Sequence, residues 1–160
     1  MPRWTGDWLS GPGVTLREMR HPDTWQGQRL DLPRAGAGSL APFGARAFAF
    51  AIDIVASAIL ASLLNVWVHH PSPVERQVAA YAVLAAEHVL LVSLTGQTIG
   101  MRLMGLRVMK LSARTEVPGL VPASVRTIPL LVSIGLTGFF TKDGRGLHDV
   151  VARTAVVRTS

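Results

Sequence analysis

The chain has no cysteine in its 160 residues, which excludes a disulfide framework, a thiolate zinc site, an iron–sulfur cluster and a cysteine nucleophile. Charge is scarce too: 16% of residues are Asp, Glu, Lys or Arg, against about a quarter in ordinary soluble domains. Aromatic residues make up 6% while 49% of the chain is hydrophobic, so polar surface has been given up without a matching gain in bulky core residues. With a mean hydropathy of +0.34, this is the composition of a membrane protein. A net charge of +6 raises nucleic acid as a partner, but the bases lie in short segments flanking apolar runs, where they orient a chain across a bilayer. No basic stripe or base-reading motif accompanies them, so nucleic acid is not expected.

Residues 1–45 are polar and rich in Gly and Pro and carry Trp4, Trp8 and Trp25. They lack the apolar core of a secretory signal and read as a cytoplasmic leader; its tryptophans either sit at headgroup level or pack on the body of the protein. The rest, 46–160, reads as one all-α integral membrane domain. Its first span, 47–68, is interrupted by Asp53 alone, and its second, 78–94, carries Glu87 and His88. At 1.5 Å per residue the first covers about 33 Å, enough for the ~30 Å hydrocarbon layer. A third run, 120–140, is broken by Pro122, Arg126 and Pro129; it spans, tilts or re-enters. Between the last two lies a basic segment, 96–118, too charged to cross, and the chain ends in a basic tail, 141–160. The connection 69–77 holds one base, whereas the leader with Arg46 holds six, which puts the amino terminus in the cytoplasm.

Asp53 and Glu87 each fall about 10 Å inside their helices, and Arg126 reaches the same depth if the third run starts near Gly119. Charge in hydrocarbon costs about 2.5–3.5 kcal/mol per residue, so such groups face the bundle interior and pair. The expected pair is Arg126 with Asp53 or Glu87. Arg46 lies two turns from Asp53 on one helix face, able to lean toward it or to snorkel to phosphate. Two readings of this cluster stand side by side: a polar clamp between helices, and a titrating site for a proton or small cation, to which His88 would add a group that titrates near neutral pH.

The opening Arg46, Ala49 and Asp53, the string Gly96-Gln97-Thr98-Ile99-Gly100-Met101-Arg102-Leu103-Met104-Gly105-Leu106-Arg107-Val108, and the closing Gly146-Leu147-His148-Asp149 followed by Thr154 together resemble the RDD family of small bacterial multi-pass membrane proteins. The family is named for one Arg and two Asp, which the resemblance carries to Arg46, Asp53 and Asp149. The leader string Trp8-Leu9-Ser10-Gly11-Pro12 is similar to the amino-terminal extension of actinobacterial members. The resemblance implies a plasma-membrane location and suggests transport of ions or small ligands.

Within the central string, Gly96, Gly100 and Gly105 permit tight turns or close backbone approach, while Arg102 and Arg107 offer guanidinium groups to anionic headgroups. The Gly-Lys-Ser/Thr of a nucleotide P-loop is missing. Residues 106–111 alternate weakly and 155–157 are β-prone, so a short strand pairing on the cytoplasmic side is expected. Asp149, in the turn with His148, either caps the next segment or pairs with Arg102 or Arg107. No hydrolase arrangement can be placed at one depth with access to water, so enzyme activity, cofactor and metal are not expected. The sequence thus points to an ion or small-solute transport module acting as an oligomer in an anionic bilayer, or alternatively to an accessory subunit of a larger membrane complex.

Overall fold

The structure, a computed structural model, describes residues 25–65, 71–112, 117–132 and 144–160. Trp4, Trp8, the leader string at 8–12, His69, His70 and the second half of the third apolar run lie outside the described residues.

Helix α1, Phe43–Asn65, and helix α2, Pro73–Thr95, each hold 23 residues, about 34 Å at the helical rise. Both are long and apolar enough to cross a membrane, with mean hydropathies of 2.2 and 1.8. Both start earlier than the apolar runs at 47 and 78, and in α2 capping rather than hydropathy sets the ends. Ser72 accepts from the Glu75 amide while the Glu75 carboxylate accepts from the Ser72 amide, and Pro73 takes the first helical position, where its missing N–H costs nothing. Gly96, at φ +73°, closes α2 in the left-handed region. The helices pack antiparallel, and Ile59, Leu60, Leu63, Val78 and Leu90 remain exposed on their outer faces. In a bilayer those faces meet lipid.

A five-residue helix, α3 (Ile99–Leu103), folds back onto α1. Its approach is so close that a Cβ at Gly100 would overlap the Ala49 carbonyl. The expected strand pairing is present. Strand β1, Leu106–Lys110, runs antiparallel to β2, Thr154–Arg158, with Val108 opposite Val156. The end of the leader seats on the free edge of β2: the Ala41 amide donates to the Val156 carbonyl at 2.9 Å, and Leu40 bridges Val157. Trp25 donates through Nε1 to the Leu32 carbonyl at 2.9 Å.

The described part of the third apolar run forms helix α4, Leu120–Val132, 13 residues with Pro129 inside, about 20 Å at the helical rise. Helix α5, Leu147–Val151, follows Gly146 and leads into β2. The core is made of small residues where helices meet the sheet: Ala41, Ala45, Ala49 and Ala123 pack with Leu106, Val108 and Val156. Small side chains let backbones approach closely, the packing mode of membrane helices.

Candidate functional site

Two polar clusters lie buried between these elements. The first is built on Asp53, which is fully buried. The Thr98 hydroxyl donates to its Oδ2 at 2.6 Å, and the Gly100 amide donates to its Oδ1 at 2.6 Å. Thr98 does double duty, because its Oγ also accepts from the Met101 amide at 3.2 Å and so caps α3. Ser57, one turn beyond Asp53, donates to Glu87 Oε2 at 2.7 Å, and the Ile99 amide reaches Glu87 Oε1 at 3.4 Å. His88 places Nε2 3.8 Å from Asp53 Oδ2, and its Nδ1 lies 3.0 Å from the Leu84 carbonyl. A carbonyl only accepts, so Nδ1 carries the hydrogen there. Phe50 meets the His88 ring edge-on at 5.8 Å. Asp53, Glu87 and His88 thus converge as the helical spacing predicts.

The second cluster overturns the expected partner of Arg126. Its guanidinium donates to Asp149 Oδ1, not to Asp53 or Glu87. Arg46 adds a longer ion pair, Nη1 to Asp149 Oδ2 at 3.7 Å, and donates from Nη2 to the Gly144 carbonyl at 2.5 Å. Thr154 donates to Asp149 at 3.3 Å. Asp149 therefore does not pair with Arg102, which is exposed, or with Arg107, which sits on β1; the tail is tied to the central string by backbone strand pairing instead. The physical reason is depth: α5 tucks its first turn under α4, bringing the fully buried Asp149 to the guanidinium, while the strand holds Arg107 on the far side. Burial would raise the Asp149 pKa, but Arg126, His148 and Arg46 with the Thr154 bond hold it below the usual carboxylate value. His148, folded over Gly146, has its pKa lowered to about 4, chiefly by burial and against the pull of Asp149.

Between the clusters is a cavity of 210 Å³ whose wall includes Arg46, Asp53, His88, Arg126 and His148 with Phe50. Arg46 and Asp53, two of the three residues carried by the resemblance, line it, and the third, Asp149, lies behind its arginines. Among the described residues no group of three or more His, Asp or Glu side chains is placed to hold a metal ion. The roles of Ser57 and Thr154 escaped the sequence reading. Ser57 was legible as the i+4 neighbour of Asp53, whereas Thr154 meets Asp149 only through the turn after α5.

Two apolar helices of membrane-crossing length, a buried charge layer between them and a small sheet closing one end define a helical membrane domain. The chain belongs to the RDD family, whose family model matches residues 40–153. That match takes in both long helices, α3 to α5 and both buried clusters apart from Thr154. No curated protein and no solved structure matches the chain.

Proposed function

We propose that this RDD-family chain is an ion or small-solute translocating module of the plasma membrane that works as an oligomer, with Asp53 and Glu87 as the exchangeable carboxylates. The observation that supports this reading is their setting: two carboxylates from facing apolar helices, each with a hydroxyl donor (Thr98 or Ser57), beside a histidine whose Nε2 stands 3.8 Å from Asp53. A proton or small cation taken up here would offset charge that is costly in hydrocarbon. Because Arg126 is engaged by Asp149, the first cluster keeps its negative balance, which suits a cationic passenger. Two long helices and one further apolar segment are too few to enclose a path, hence the oligomer. The six bases up to Arg46 favour a cytoplasmic amino terminus, and the basic segment and tail favour an anionic lipid surface as neighbour.

A second reading, an accessory subunit of a larger membrane complex, draws on a different observation: every carboxylate in the layer already accepts protein donors, as in a clamp between helices. The test is cation-driven flux in proteoliposomes holding the full chain, compared with Asp53→Asn and Glu87→Gln. The transport reading expects flux in the parent and its loss in both variants at unchanged membrane level. Reduced protein level or loss of a co-purifying partner, with no parent flux, would support the accessory role.

A further inference from the structure

The cavity beside Arg46 adjoins a second one of 130 Å³, and the two share Phe50 and Ile54 as walls. Together they form a groove along α1 from Arg46 to Ala58, about 18 Å at the helical rise and longer than half of the ~30 Å hydrocarbon layer. Its chemistry changes along its length. At the end near the start of α1, Arg46 and Arg126 line the wall, with His148 beside them; farther in, the wall is Phe50, Ile54, Leu84 and Leu131. Ala47, Ala51 and Ile54 are exposed, so the groove opens on the face of α1 turned away from the protein, where lipid would lie.

The polar end holds guanidinium N–H groups that no described residue accepts. Among the described residues two guanidinium groups share Asp149, whose Oδ2 accepts no hydrogen bond, and the Nε atoms of Arg46 and Arg126 are buried without a hydrogen-bond acceptor, the Arg126 side chain being 3% exposed. Asp53 also borders the cavity, but both its oxygens are turned to donors on the α3 side. The unused guanidinium donors, at the helix end where headgroups sit and beside an apolar slot, call for an anion carrying an acyl chain.

We infer that this groove holds one anionic glycerophospholipid, its phosphate diester on Arg46 and Arg126 and one acyl chain along Phe50 and Ile54. The lipid fastens α1 to α4 across the gap between them, and its binding is separable from cation movement at Asp53.

The test is native mass spectrometry of the delipidated full chain in mild detergent, titrated with phosphatidylglycerol or with phosphatidylcholine of the same acyl chains. The parent is expected to retain one phosphatidylglycerol per chain about tenfold better than phosphatidylcholine, a modest discrimination because Asp53 and Asp149 offset the guanidinium charges. Arg46→Gln should remove the discrimination. Ala51→Trp, which leaves both arginines in place and narrows the mouth, should lose both lipids, and it decides the matter if Arg46→Gln fails to fold. Equal retention of the two lipids by the parent, unchanged retention in Ala51→Trp, or displacement of phosphatidylglycerol by millimolar sodium phosphate would overturn the assignment, the last by showing a site for a free anion. Asp53→Asn should still retain phosphatidylglycerol over phosphatidylcholine, so a failure of the cation reading would leave this result standing.

Discussion

Arg126 of α4 donates to Asp149 of α5, 23 residues farther along the chain, with both side chains almost wholly buried. The pair joins the third apolar segment to the turn that launches β2. Removing one partner leaves an uncompensated buried charge, which costs about 3–5 kcal/mol, whereas replacing both removes that penalty. Arg126→Met and Asp149→Leu are each expected to lower thermal stability severely, and the double variant to lose less than their sum. A double-mutant cycle on melting in detergent checks this; simple additivity would mean that the pair is not coupled.

Gly100 sets how closely α3 lies on α1. An alanine there would drive its Cβ into the Ala49 carbonyl and against Asp53 Oδ1, a backbone clash that cannot be relieved by a rotamer. Gly100→Ala is expected to destabilise by about 1–3 kcal/mol. The Ala49→Gly change should not rescue it, because the clash is with main chain. Rescue would show that α3 is free to shift.

The His148 pKa falls from its ordinary 6.5 to about 4 in the folded chain. The unfolded chain therefore binds the extra proton first as pH falls, and stability is full above about 6.5 and declines as pH drops toward 4. Over that window the loss is about 3 kcal/mol for this group. Melting followed from pH 7.5 to pH 4.5 should show a slope that His148→Gln makes shallower; an unchanged slope would assign the loss to other groups. Asp149 acts in the same sense at lower pH, its depressed pKa withdrawing stability only below the ordinary carboxylate range.

Much of this fold was legible from residue order. The apolar runs marked both long helices, Asp53 and Glu87 met because each lies about two turns inside its helix, and the β-prone residues of the tail paired with the central string. Helix ends were less legible, since Ser72, Pro73 and Gly96 act through backbone geometry rather than hydropathy. The partner of Arg126 was not legible at all. Depth counting put Arg126 level with two carboxylates and gave no reason to prefer a third, and Asp149 reaches it because α5 packs against α4. Thr98 was visible as part of a motif, but its bond to a residue 45 positions earlier depends on α3 folding back.

At Asp53 the geometry admits a near-isosteric replacement. An asparagine can keep Oδ1 on the Gly100 amide and turn Nδ2 toward the Thr98 oxygen, so Asp53→Asn is expected to cost about 1 kcal/mol, the scale of one net hydrogen bond. A loss of several kcal/mol in a denaturant titration would show that the negative charge itself holds α3 in place.

The central claim is a division of labour: the Arg126–Asp149 cluster holds the fold, and the Asp53–Glu87 cluster carries the ion. One paired measurement addresses it, melting temperature and cation flux recorded on the same reconstituted samples of Asp53→Asn and Asp149→Asn. The account predicts that Asp53→Asn melts near the parent and loses flux, while Asp149→Asn melts far below it. If Asp53→Asn instead melts far below the parent, or keeps full flux, the division is contradicted.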